Sequence, residues 1–450
     1  MQNLISVLEF YRYMYIRSIK IVSVFCFLLT LITINGQESL SLKDAISIAL
    51  QNNYNVRIAR NTTEVNAANN TLGNAGLLPN LSLNFGQNYN ITNTTQEFFS
   101  GETRTGNNVN INNLNANLLL GWTVFNGMQM FVNKDRLTEI EKLGQLNVQL
   151  QMENTISQVM SFYYSIEQHQ RRIETIQKAI EISKERYQLA KVKLDLGSGS
   201  GIPVLQAEVD INADSSVLIR QQLILQTTKI MLNQLLSRAP ETAFEILAVT
   251  ETPIVIDYND VVEKAERRNV MLQLADKSIL LAELNVKQWQ ANRYPTVDLN
   301  LGYNFNRLQA EIGILKFNQN AGLSFGLTAR WNIFNGWNNN REIQVAKLGI
   351  ESGKLTKEQT ALAIKTDLYS IYNNYITSKE LAKLETSNIK IAQKNLDITT
   401  DKMRLGTIDA LELRTAQLNL VDTEFRKITA DFEVKLAEIE LLRMSGDLVK

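Results

Sequence analysis

The sequence predicts a mixed fold in which the transmembrane strands of a β-barrel are joined to long α-helical hairpins, with the whole unit written twice. Three observations predict it. The chain repeats at a nearly constant offset, each copy holds two alternating segments of strand period, and each copy holds a proline-free stretch long enough for a helix of about 100 Å.

The repeat is plainest in WTVFNG at 122–127 and WNIFNG at 331–336, 209 positions apart. At the same offset Leu196 and Gly197 recur as Leu405 and Gly406, Tyr163 as Tyr372, and Ala207 as Ala416. Upstream the offset is 216, which pairs Asp44 with Asp260, Ala49 with Ala265, Asn53 with Asn269, Pro79 with Pro295, and LSLNFG from Leu81 with VDLNLG from Val297. The seven extra residues of the first copy fall between Gly86 and Trp122. An interval that tolerates insertion reads as a surface loop, and residues 92–112, rich in Asn and containing Phe98 and Phe99, are expected to form it.

Ahead of the first copy, an apolar run over 21–34 follows Arg12, Arg17 and Lys20 and contains the only cysteine, Cys26. At 14 residues it is short for a membrane span and suits a signal peptide, assigned to 1–36 with Met14 as an alternative start. The mature chain then has no disulfide, so its stability rests on burial or assembly. The 46 basic and 46 acidic residues balance, which excludes a basic patch for nucleic acid.

The first repeat is assigned to 37–238, with strands at about 80–92 and 113–125 and a helical hairpin over 128–238. A linker at mid-height covers 239–257. The second repeat covers 258–450, with strands at about 296–307 and 320–334 and a hairpin over 337–446. Along the strands Val297, Leu299, Leu301, Tyr303 and Phe305 alternate with Asp298, Asn300, Gly302, Asn304 and Asn306. Leu114, Ala116, Leu118, Leu120, Trp122 and Val124 likewise share one parity. This is the pattern of a membrane barrel, apolar toward lipid and polar toward water. Four strands cannot close, and open edges in hydrocarbon cost several kcal/mol per unpaired group, so closure must come from further copies; two would barely reach the roughly eight strands a barrel needs, and three give about twelve.

The helical rods follow. From Gly127 to Leu196 there is no proline, and Ile173, Ile176, Ile180, Ser183, Tyr187, Ala190 and Leu194 are spaced alternately 3 and 4 apart, a heptad seam. The chain reverses at LGSGSG (196–201) or LGT (405–407) into a returning helix half as long. A further helical segment over about 54–76 would cover the other half of the rod.

In order and in double occurrence, these features resemble the TolC-like outer-membrane efflux family. They are the duplication, the Leu78-Pro79 and Tyr294-Pro295 steps into each first strand, the Phe-Asn-Gly exit of each second strand, and the tip glycines followed by alanine ten residues on (Gly197 to Ala207, Gly406 to Ala416). The resemblance covers the whole mature chain. It implies a homotrimer in the outer membrane of a Gram-negative bacterium, with a twelve-stranded barrel and a periplasmic tunnel of twelve helices. Pro79, Pro295, Phe125, Gly127, Phe334 and Gly336 become the strand–helix junctions. The implied function is a passive exit duct of a tripartite efflux or type I secretion system. Its tips, at Leu196, Gly197, Ser198, Gly199, Leu405, Gly406 and Thr407, would dock on a periplasmic adaptor driven by an inner-membrane transporter. The family narrows its periplasmic end with acidic residues, and Glu412, with Asp409 nearby, stands at that position. The tyrosine and arginine that latch the tips of the best-known member are replaced here by Met403 and Ile408, so a closing latch must use other contacts.

No enzyme, cofactor or metal is expected. The sole histidine, His169, reads as an ordinary helix-surface residue, and no nucleotide loop or nucleophilic cysteine is present. The competing reading is a periplasmic coiled-coil adaptor or scaffold, which shares the signal peptide and heptads but has no use for four alternating strands with aromatic ends.

Overall fold

The computed structural model describes residues 38–247 and 256–448; the signal-peptide expectation for 1–36 lies outside them, as does the centre of the linker. The first copy contains β1 (Glu38–Leu40), α1 (Leu42–Asn52), α2 (Tyr54–Asn69), β2 (Asn80–Glu97), β3 (Thr103–Asn126), α3 (Gln129–Asp195), α4 (Ile202–Leu235) and β4 (Phe244–Ile246). The second contains α5 (Tyr258–Arg268), α6 (Val270–Ala291), β5 (Thr296–Ala310), β6 (Phe317–Arg330), α7 (Asn338–Arg404) and α8 (Ala410–Ser445). Among the described residues no helix is long and apolar enough to cross a membrane.

Helices α3 and α7 are each 67 residues long, about 100 Å of continuous helix. Each runs beside two shorter helices, α2 and α4 in the first copy and α6 and α8 in the second. The joints lie at mid-height. There the side chain of Asn53 accepts from the backbone of Asn55, starting α2, while its Nδ2 donates to the carbonyl of Leu235 at the end of α4. Asn269 does the same for α6, accepting from Met271 N and donating to Met444 O. One buried amide therefore caps one helix and ties down the end of another, which satisfies groups a helix terminus leaves without partners. The equatorial core packs beneath, with Leu40, Ala45, Val159, Tyr163, Ile166, Leu232 and Phe244 in one copy and Val261, Leu272, Leu368, Tyr375 and Leu441 in the other. Part of the expected linker is strand, since β4 pairs in parallel with β1. The Tyr163 hydroxyl lies 2.9 Å from the Leu40 carbonyl and 2.7 Å from that of Leu247, closing this joint.

The four long strands form one antiparallel sheet in the order β2-β3-β5-β6. Two strand expectations need correction. Residues 92–112 are not a loop: β2 and β3 continue through them, and only the short turn after Glu97 reverses the chain. The extra residues of the first copy lengthen the hairpin because alternating Asn and Thr carry the ladder as well as the residues below do. Nor does β6 reach 334. It ends at Arg330, opposite Thr296, the first residue of β5. The equivalent stretch of β3 keeps its pairing to Asn126 because β5 lies alongside, with Phe125 opposite Val297. At the sheet edge residues 331–334 have no strand to pair with among the described residues.

Candidate channel wall, junctions and helix tips

The repeated hexamer makes the same turn twice. The indole of Trp122 donates to the Leu77 carbonyl at 3.0 Å, and that of Trp331 donates to Arg293, also at 3.0 Å. Each bond pins the strand leaving the sheet to the chain just before Pro79 or Pro295, where β2 and β5 begin. Asn126 then accepts from Met130 N at 3.2 Å and Asn335 from Asn339 N at 3.4 Å, capping α3 and α7. Between them the backbone passes through two successive left-handed residues, Gly127 and Met128 (φ 67° and 70°) and Gly336 and Trp337 (φ 66° and 63°). The glycine in each hexamer takes this conformation without the strain a side chain would bring. The aromatic pair differs: Phe125 stays in β3, while Phe334 is exposed and packs edge-on against Trp337. Sequence reading did not show these bonds, whose signal was the invariance of Trp and Asn between copies.

The two faces of the sheet differ chemically. One exposes Leu81, Leu83, Phe85, Tyr89, Leu118, Trp122, Tyr303, Leu323, Phe325 and Leu327, an apolar band suited to lipid. On the other, cross-strand register aligns Asn84, Asn117 and Asn304 in one row and Asn115, Asn306 and Asn320 in the next. Asn306 Nδ2 donates to Asn113 at 3.4 Å and to Asn115. Near the junction Thr123 donates to Asp298 at 2.7 Å. The water-facing wall is thus largely amide.

At the far end both rods finish alike. Gly197 (φ 72°) donates to Leu194 O and Ser198 N to Lys193 O; Gly406 (φ 76°) donates to Met403 O and Thr407 N to Lys402 O. This paired bonding around a left-handed glycine is the Schellman stop, and the Ser198 and Thr407 hydroxyls back it from the same carbonyls at 3.1 Å. Leu196, Ile202 and Leu205 at one tip and Leu405 and Leu411 at the other stand exposed. Among the described residues, chain neighbours aside, no atom lies within 4 Å of an added Cβ at Gly197 or Gly406. Gly199 sits in the first of these turns, against the Lys193 side chain.

The two acidic candidates take different places. Asp409 is the N-cap of α8, accepting from Glu412 N at 2.9 Å, and the Glu412 side chain is exposed one turn in. Met403 is buried with Leu396, Leu413, Ala416 and Leu420, and Ile408 packs against the same cluster. They form an apolar seal within the tip.

Just above it lies a polar network absent from the sequence reading. Arg186 donates to Asp210 at 2.8 Å and to Gln417 at 3.3 Å. Arg414 grips Asp214 with two bonds of 2.8 and 2.7 Å, and Ser183 donates to the same carboxylate. Gln417 donates to the Ala179 carbonyl at 2.6 Å. The network joins α3 and α4 of the first copy to α8 of the second. Hydrogen bonding to Asp214 holds the Arg414 guanidinium above its usual pKa, although burial opposes the shift. Ser183 was placed in the heptad seam, but its partners lie too far off in sequence for spacing to reveal. His169 is not a plain surface residue: Nδ1 lies 2.8 Å from Gln221 Nε2 between α3 and α4, and burial lowers its pKa.

Comparison with known proteins agrees with this geometry. The profile of the family described as outer membrane efflux protein matches residues 45–238 and again 261–447. The chain is 21% identical over 443 residues to the outer membrane efflux protein BepC of Brucella suis biovar 1 (strain 1330), covering 97% of this chain and 92% of the relative. Among solved structures it resembles the outer membrane protein VceC of Vibrio cholerae, with TM-score 0.76, 14% identity and coverage of 90% of this chain and 96% of that one. It also resembles the open-state MtrE outer membrane channel of Neisseria gonorrhoeae, with TM-score 0.70, 16% identity and coverage of 91% and 89%. With its double match, its duplicated strand–helix unit and its two-faced sheet, the chain belongs to the outer membrane efflux protein family.

Proposed function

We propose that three copies assemble into a closed duct that carries solutes passively out of the periplasm, as the exit segment of a tripartite efflux or type I secretion system. The observation that carries this reading is an exposed apolar stripe along α7, in which Tyr369 also meets the Tyr258 ring edge-on. Leu348, Leu355, Leu362, Tyr369 and Ile376, then Leu384, Ile391 and Ile398, recur at heptad spacing and are all exposed. So much aligned apolar surface on a rod of this length calls for a partner. The opposite flank exposes Ile58 and Val65 on α2, Leu72 in the turn just after it, and Val209, Leu223 and Ile230 on α4, again in steps of seven or multiples of it. Within the chain α3 packs beside α6 and α8. The duplication calls for α7 to meet α2 and α4 of the next copy in the same way. The sheet edges agree: β2 and β6 run in opposite directions, so β6 of one copy can continue the antiparallel order with β2 of the next.

The mass of the membrane-purified particle, corrected for detergent, tests the reading. Three chains are expected. A monomer or dimer soluble without detergent would overturn it in favour of the adaptor or scaffold.

Two roles rest on this arrangement. Three Glu412 carboxylates around a narrow mouth would attract cations, so Glu412→Ala is expected to lower cation selectivity; an unchanged reversal potential in a salt gradient would refute the gate. Asp409 would act there mainly by starting α8. The exposed leucines and open glycine turns at the tips would meet the adaptor that a periplasm-spanning, transporter-driven system needs. Because the tips have room for side chains, Gly197→Phe with Gly406→Phe should retain the trimer at about 1–3 kcal/mol of backbone strain per site while abolishing export. Export at the wild-type rate from cells that depend on this duct would exclude docking there.

A further inference from the structure

The outer end of the sheet carries a feature that the amide wall does not explain. Strand β3 outruns β5, whose last partner is Ile111 opposite Ala310. Beyond that point the turn over 311–316 folds back onto β3. The Glu311 carboxylate accepts from Asn110 N at 2.9 Å and Asn110 Nδ2 at 3.1 Å, taking the place of the missing strand, and Glu311 N donates to Asn110 O. Arg104 donates to the Gly313 carbonyl at 3.2 Å and is itself held by Glu102 at 2.8 Å and by the Phe98 ring at 5.0 Å.

The face on which the turn lies follows from register. Asn84, Asn88 and Thr92 alternate along one face of β2, and Thr92 stands opposite Val109 on β3, in step with Ile111 and Asn113. Val109 therefore belongs to the asparagine face, where it is only 3% exposed. What covers it is Ile312. A Cβ added to Gly106 would stand 2.1 Å from Ile312 Cδ1 and 2.6 Å from Val109 Cγ2, so Gly106 leaves the space that this isoleucine fills. The base of the turn is thereby anchored over the water-facing side of the wall, and the same short turn carries Ile314 and Leu315, 82% and 58% exposed.

We propose that the 311–316 turns form an apolar stricture at the outer mouth of the barrel. Each leans over the lumen face of its own sheet, and Ile314 and Leu315 of three copies face one another across the axis. The inference rests on the trimeric duct proposed above. Its consequence is selectivity: a short apolar ring above an amide-lined wall resists hydrated ions and admits solutes that can shed water onto aliphatic surface. The second copy supplies the ring and the lengthened hairpin of the first supplies its support, which gives the extra residues of the first copy a purpose.

Single-channel recording in planar bilayers tests it. The Ile314→Ser, Leu315→Ser double variant is expected to raise ion conductance by roughly twofold or more, because a wetted mouth no longer excludes hydrated ions. Gly106→Val, which displaces Ile312, should raise it as well. Ile314→Cys supplies an independent reading, because the sole native cysteine is Cys26. A cationic thiol reagent added from the extracellular side should change conductance in up to three steps. Unchanged conductance in the serine variant, together with no response of the cysteine variant, would overturn the stricture and leave the duct standing. Absence of channels in the wild-type protein would instead overturn the duct.

Discussion

Arg414→Ala is expected to destabilise the helical end of the protein by about 3–5 kcal/mol, the range for breaking a buried ion pair from one side. The Arg414 and Asp214 side chains are each only 12% exposed, and Arg186 beside them is 4% exposed. Removal of Arg414 leaves Asp214 with the Ser183 hydroxyl as its remaining partner in the network, while Asp210 keeps Arg186. Arg414→Lys should fall between, since an ammonium cannot reproduce the two parallel bonds to Asp214. Arg414→Met with Asp214→Leu should recover most of the loss, because no charge is then stranded. Denaturant unfolding followed by helical circular dichroism measures all three. If Arg414→Ala stays within about 0.5 kcal/mol of wild type, the network is no more than surface decoration.

Gly127→Ala and Gly336→Ala are expected to fail at different steps although both glycines have the same φ. At Gly127 an added Cβ would stand 2.3 Å from the Ala291 carbonyl oxygen and 3.0 Å from Tyr294 Cβ. The backbone of α6 would have to move, and left-handed strain adds to the overpacking, for a total of about 3 kcal/mol or more. At Gly336 the only neighbour within 4 Å among the described residues is the Asn338 side chain at 3.8 Å, so within one chain the change carries conformational strain alone. In the proposed ring, however, the duplication makes Ala75 of the next copy the counterpart of Ala291. Gly127→Ala should therefore reduce the yield of folded chain, whereas Gly336→Ala should give folded chain that assembles poorly. Gel separation of trimer from monomer without boiling distinguishes them. Equal trimer yields for Gly336→Ala and wild type would mean that the ring does not repeat the junction seen inside the chain.

The features legible from sequence were those with a short period or an exact repeat. Alternation along Val297 to Phe305 marked a two-faced strand because side chains on a strand change side at every residue. The proline-free rods, the Gly197 and Gly406 turns and the paired WTVFNG and WNIFNG were legible because local backbone chemistry is enough to require them. The extent of pairing was not. Residues 92–112 look like a loop in composition, yet they continue a ladder, and residues 331–334 look like strand yet pair with no strand among the described residues. Both outcomes depend on which neighbour is present.

The same division holds for the chemistry. Sequence alone determined a duplicated chain of membrane strands and long rods, with balanced charge, because these are properties of composition and periodicity. Tertiary structure decided that Trp122 and Trp331 pin the strand exits and that Asn53 and Asn269 tie the mid-height joints. It also decided that Arg414 meets Asp214 across 200 residues and that Ile312 covers Val109. Each of these is one contact between segments far apart in the chain. No local propensity encodes such a contact, and only the packing of distant segments, within one repeat or between the two, brings its partners within bonding distance.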